Sequence, residues 1–124
     1  MAKLTKNFRL QEFYCNDGTE IPNKYLTNVI ELAENLQVLR DYIDKPIHIN
    51  SAYRHEIYNK SIGGSKKSQH LKAKASDIRV DGMNPSKVYI AIEKLIKEGK
   101  MKQGGLGLYP SFVHYDIRGK KTRW

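Results

Sequence analysis

Two short stretches hold side chains that could bind a metal and move a proton. One is Ser68-Gln69-His70-Leu71-Lys72-Ala73-Lys74-Ala75-Ser76-Asp77, the other Phe112-Val113-His114-Tyr115-Asp116. Two histidines and one carboxylate form an accepted catalytic zinc set, with a fourth position left for water. Zinc polarises a carbonyl and acidifies water, and a nearby carboxylate can take the proton. A fixed cation, such as Arg54 in Ser51-Ala52-Tyr53-Arg54, can stabilise an oxyanion. Together these are the needs of amide hydrolysis.

Spacing limits how such a site can be built. His70 and Asp77 lie seven positions apart. On one helix that is roughly 10 Å of rise. On one strand it is about 23 Å, with the side chains on opposite faces. Neither lets both residues reach one ion, so the chain must turn between them, and Ala73 and Ala75 are small enough for a close bend. His114 and Asp116 are two apart and would share one face of a strand, roughly 7 Å apart at Cα. Asp116 would then face the same site as His114, as a general base or as a hydrogen-bond partner. His48 and His55 carry no such pattern and stay unassigned.

The elements that must position these groups are legible from periodicity. Leu10 and its neighbours in Asn7–Phe13 form a short element, and Asn16-Asp17-Gly18 a turn. From Pro22 to Ile43 apolar residues recur every three or four positions, which predicts an amphipathic helix with Pro22 in its first turn. Ile47–Tyr53 and Ala75–Val80 read as strands. Residues 54–69 read as a polar loop with one helical turn near Glu56–Asn59, and Gly63-Gly64 as loop geometry. Asn84-Pro85-Ser86 opens a second helix that Gly99 ends. Gly105–Tyr109 and Phe112–Ile117 form a hairpin through Tyr109-Pro110-Ser111. The order predicts one α+β domain over residues 1–124, with a small, mostly antiparallel sheet and two main helices.

Composition bounds the partners. With 22 basic and 13 acidic residues in 124, the net charge is +9, which draws the chain to polyanions. The basic residues are dispersed rather than gathered into an arm, so nucleic acid is not the expected partner. No apolar run reaches membrane-spanning length, and no apolar leader is visible near the N-terminus. Cytoplasmic synthesis without a signal peptide and a monomeric state are the expectations. The single cysteine, Cys15, permits no internal disulfide and is expected to be a semi-buried thiol.

Taken in order, the motifs resemble those of the M15 family of zinc D-Ala-D-Ala carboxypeptidases and peptidoglycan endopeptidases, which have the hedgehog/DD-peptidase fold. The residues concerned are Ser51-Ala-Tyr-Arg54, Gly63-Gly64, Ser68-Gln-His70 through Ala75-Ser-Asp77, and Gly104-Gly-Leu-Gly-Leu-Tyr-Pro-Ser-Phe-Val-His114-Tyr-Asp116. Asn7–Phe13 is similar to the start of the phage-type branch. The resemblance implies His70, Asp77 and His114 as zinc ligands, with Arg54 on the substrate carboxylate or oxyanion. Ser68, Gln69 and Tyr109 are the further substrate contacts expected. The sequence departs from the family pattern at Ala73, where a glycine is usual, and at Ser111, where several relatives carry an acidic base. Asp116 is taken as the base in its place.

The expected activity is zinc-dependent hydrolysis of peptidoglycan stem peptides, as in a phage endolysin that reaches the wall after holin-dependent release. Anionic wall polymers would be secondary partners. A non-catalytic zinc-bearing module of the same fold, in a phage tail or virion, is the alternative. A basic nucleic-acid binder is a more distant one.

Overall fold

The computed structural model describes residues 2–124; Met1, first residue of the expected domain, lies outside that range. Three helices, α1 (Leu26–Ile43), α2 (Glu56–Ser61) and α3 (Pro85–Lys97), accompany five strands. These are β1 (Ile47–Ser51), β2 (Ala75–Val80), β3 (Gly105–Leu108), β4 (Val113–Asp116) and β5 (Thr122–Arg123). They form one sheet in the order β1-β2-β4-β3-β5. All pairs are antiparallel except β3 with β5. The α+β expectation holds, with a mostly antiparallel sheet and two long helices.

The helices form where the periodicity predicts, with local corrections at their ends. Pro22 precedes a single 3-10 turn, Asn23–Tyr25, and α1 starts after it. Proline has no N–H to donate and sits at the entrance rather than inside the first turn. Asp44 ends α1 in a left-handed conformation, with its N–H donating to the Arg40 carbonyl. Pro85 occupies the first turn of α3. Gly99 follows that helix at φ +74°, the left-handed geometry glycine adopts most easily. Strand β5 was not anticipated: two residues, one of them charged, leave no alternating pattern to read.

One face of the sheet makes the core and the other makes the site. Ile78, Val113, Tyr115 and Leu106 point to the face covered by α3, with α1 behind it, and all four are fully buried. Helix α1 contributes Val29, Leu32, Leu36 and Leu39, and α3 contributes Val88, Ile92 and Leu95. Burying each such side chain is worth about 1.5–3 kcal/mol. The strand period of two sends Asp77, His114 and Asp116 to the opposite face. In register, Ser51 stands opposite Asp77, Asp77 opposite His114, and His114 opposite Gly107. These four residues form a row across four strands.

The row depends on an irregularity. Ile49 pairs with Ile78, yet the next pair is Ser51 with Asp77, so Asn50 is an extra residue on β1. Bulges of this kind re-aim side chains beside functional sites. Here the bulge sets Ser51 beside Asp77.

Candidate metal centre

The turn required between His70 and Asp77 is a 3-10 turn, Gln69–Lys72, closed by Ala73 in the left-handed region at φ +57°. The Ser68 hydroxyl accepts the His70 N–H at 3.2 Å and caps this turn. Asn28 of α1 donates to the Lys72 carbonyl at 3.0 Å and ties the turn to the helix. His70 is thereby held over β2, with Asp77 beneath it.

His70, Asp77 and His114 converge. They are all buried, and their ligand atoms lie within 4.8 Å of one another. Asp77 Oδ2 is 3.3 Å from His70 Nε2, and Oδ1 is 3.1 Å from His114 Nδ1. Two ligands bound tetrahedrally at about 2.0–2.1 Å stand about 3.4 Å apart, so these separations suit a shared small cation. The hydrogen bonds behind the rings also suit it. His70 Nδ1 donates to the Ala52 carbonyl at 2.6 Å, and His114 Nε2 donates to Asp116 Oδ2 at 2.7 Å. Each bond leaves the other ring nitrogen facing Asp77, where it would offer its lone pair to a bound ion, the usual arrangement of a metal-ligating histidine. The donor set fits zinc, and the residues that would hold it are His70, Asp77 and His114.

Charge in the cluster is balanced by contact. Burial raises the Asp77 carboxyl, but hydrogen bonds from His114 and His70 outweigh it and hold Asp77 below the usual carboxylate range. Burial also works against a charged His114, but its bonds to Asp116 and Asp77 raise it above the ordinary imidazole value.

Asp116 is placed beside His114, as expected, and is completely buried. It accepts from the backbone N–H groups of Gly105 and Arg118 at 2.8 and 3.1 Å. The Arg118 guanidinium adds Nε at 2.9 Å and Nη2 at 2.7 Å. Burial raises its carboxyl, but the bonds from His114, Arg118 and Gly105 outweigh that and hold it below the usual range. A Cβ on Gly104 or Gly105 would overlap Asp116. Gly104 thus admits the Asp116 backbone carbonyl and Gly105 its carboxylate.

Arg54 reaches the centre from the segment after β1. Its Nη2 is 3.2 Å from Asp77 Oδ2, its Nε donates to Ser51 Oγ at 3.1 Å, and its Nη1 donates to Asn59 Oδ1 at 3.3 Å. Asn59 was not singled out in the sequence. It is buried in α2 and fills the space a side chain at Gly64 would need. Gly63 has φ +75°, so the first glycine shapes the loop and the second admits Asn59. The segment expected to be one helical turn near Glu56–Asn59 is a six-residue helix, Glu56–Ser61.

A cleft of about 480 Å³ opens over the centre. Arg54, Lys67, Ser68 and Gln69 line it, as do Tyr109, Phe112, Arg118 and Trp124. Tyr109 stacks on Phe112 with ring centroids 4.4 Å apart. Arg118 and Trp124 were not foreseen: Arg118 closely follows the last motif but carries no pattern that marks it, and Trp124 lies beyond the motifs.

Elsewhere, His48 pairs with exposed Asp81 at 3.0 Å, and His55 with Asp17 at 2.5 Å. Cys15 is buried within the core rather than half-exposed, because Ile21, Phe13 and their neighbours close over the 15–19 turn. No helix among the described residues is long and apolar enough to cross a membrane.

Comparison with known proteins agrees with this geometry. A family model described as Peptidase M15 matches residues 5–116. Peptidoglycan L,D-endopeptidase MepK of Escherichia coli K12 is 35% identical over 88 residues, covering 64% of this chain and 44% of the relative. A probable peptidoglycan L,D-endopeptidase MepK of Haemophilus influenzae is 31% identical over 102 residues, covering 77% and 52% respectively. The chain spans about half the length of these curated relatives. With most of its residues matched by the family model, the chain belongs to the M15 peptidases.

Proposed function

We propose that the protein is a zinc-dependent peptidase that cuts stem peptides of peptidoglycan, as an endopeptidase at an L,D junction. The observation that carries this reading is the convergence of His70, Asp77 and His114 at ligand spacing beneath an open cleft. The peptidoglycan substrate and the L,D junction are supported by the named activities of the relatives. The surplus of cations, +9 overall, suits contact with anionic wall polymers. An endolysin released by a holin fits the same features.

When bound, zinc supplies Lewis acidity toward the scissile carbonyl and the attacking water. The chain's own residues do the rest. Ala52 and Asp116 fix the two imidazole rings from behind. Arg54, held by Ser51 and Asn59, presents a guanidinium to a substrate carboxylate or a developing oxyanion. Asp116 makes too many hydrogen bonds to serve easily as a base, and we assign it to orienting His114. Ser68, Gln69 and Tyr109 line the cleft where substrate would lie.

The decisive experiment is mass spectrometry of products from defined muropeptides, with and without a chelator. The expected result is cleavage at an L,D bond, lost on chelation and restored by zinc. One observation favours a second reading, a zinc-bearing module without catalysis: among the described residues lining the cleft, Asp77 is the only acid. Zinc-loaded protein that leaves walls of several chemotypes intact would establish that reading instead.

A further inference from the structure

The last residue of the chain stands against a metal ligand. The Trp124 ring centroid is 4.8 Å from that of His114, tilted by 47°. Its backbone is pinned to β3: Leu108 N–H donates to the Trp124 carbonyl at 2.8 Å, and Trp124 N–H donates to the Leu106 carbonyl at 3.2 Å. Its Nε1–H donates to Tyr109 Oη at 2.8 Å, and the Arg118 guanidinium carbon lies 5.5 Å from the ring centre. Gly107 completes the seat, because a Cβ there would overlap the indole Nε1 and Cε2. Yet the residue stays 45% exposed and lines the cleft. A tryptophan fixed on all these sides but left open toward the cleft is placed for contact with a ligand rather than for filling a core.

The two walls of the cleft differ in chemistry. Arg54, Lys67, Ser68 and Gln69 make one polar and cationic. Tyr109, Phe112 and Trp124 make the other aromatic. We propose that Trp124 is a substrate-binding residue. Its indole is the wall on which an alkyl side chain of the peptide lies, while the cationic wall receives a carboxylate. This inference rests on the peptidase reading given above.

Trp124 is the only tryptophan in the chain, so its emission reports on this seat alone. Cobalt loaded in place of zinc should quench that emission strongly, at one ion per chain. Kinetics would then be measured on a soluble, cross-linked disaccharide-tetrapeptide dimer from diaminopimelate-type walls. Trp124→Ala should raise KM roughly tenfold and Trp124→Phe about threefold, the scale of one aromatic contact. In both, kcat and zinc content should stay close to wild type. Gly107→Ala, which evicts the indole without deleting it, should raise KM as Trp124→Ala does. An unchanged KM in fully loaded Trp124→Ala would overturn the proposal. So would loss of zinc with a normal KM in the remaining loaded enzyme, since the indole would then only support His114. Wild-type protein that is not quenched by cobalt and does not cleave would instead sink the peptidase reading.

Discussion

Among the described residues, two places bring three ligand-type side chains within 4.8 Å: His70, Asp77 and His114 over the sheet, and Cys15, Asp17 and His55 at its margin. They differ in what lies behind the imidazoles. In the first cluster each ring donates one N–H outward, to the Ala52 carbonyl or to Asp116, and turns its other nitrogen inward, where it could give a lone pair to an ion. In the second, His55 Nδ1 accepts the Tyr58 N–H at 3.3 Å, so the proton sits on Nε2 and is donated to Asp17. The Asp17–His55 separation of 2.5 Å is a direct hydrogen bond, too short for two ligands of one tetrahedral ion. The bond from His55 is also the main reason the Asp17 carboxyl lies below its usual range. Proximity of ligand types is therefore insufficient; the partners of the far ring nitrogen decide whether a lone pair is available.

Removing ligands tests that contrast most strongly. His70→Ala or His114→Ala should lose stoichiometric zinc and reduce muropeptide cleavage roughly 10³-fold or more, since the acidified water is lost. Cys15→Ser and His55→Ala should each still bind one zinc by elemental analysis. A drop in zinc stoichiometry in either of these would break the comparison.

Asp116→Asn should weaken zinc 10–100-fold in competition with a chromogenic chelator, as expected for the hydrogen-bond partner of a ligand. With zinc saturating, its kcat should stay within roughly fivefold of wild type. A hundredfold fall at full occupancy would return Asp116 to the role of base. Gly105→Ala should mimic the metal defect, because its Cβ overlaps the Asp116 carboxylate.

Zinc affinity should also fall with pH. The metal-free His114 holds its proton above the ordinary imidazole value, and ligation requires that the proton leave. Affinity should therefore decline as pH falls from near neutrality, by up to about tenfold per pH unit for each proton displaced. A pH-independent affinity between 6 and 8 would mean that His114 is not a ligand.

At the margin, effects should be smaller and structural. His55→Ala removes the ring that caps α2 at Tyr58 and should cost about 1 kcal/mol in denaturant unfolding. Smallest of all, Ala73→Gly should stabilise the chain by about 0.5–1 kcal/mol, because Ala73 occupies the left-handed region that glycine adopts without strain.

Much of this was legible before any fold. Apolar spacing placed α1 and α3, and the two-residue interval of His114 and Asp116 put them on one face. The seven-residue interval from His70 to Asp77 demanded a turn. Four features had no local signal: the extra Asn50 on β1, the two-residue β5, Asn59 behind Arg54, and Trp124 against His114. Each depends on which distant strand or loop becomes a neighbour.

The sequence by itself determined ligand chemistry and strand parity, because side-chain type and the alternation of Cβ directions are properties of the local chain. Only the tertiary structure decided what Asp116 meets. Its carboxylate meets Gly105, Arg118 and His114 through the pairing of β3 with β4 and a return of the chain. Hydrogen-bond competition inside a buried cluster is set by every group that folding brings there, and spacing along the chain does not encode it.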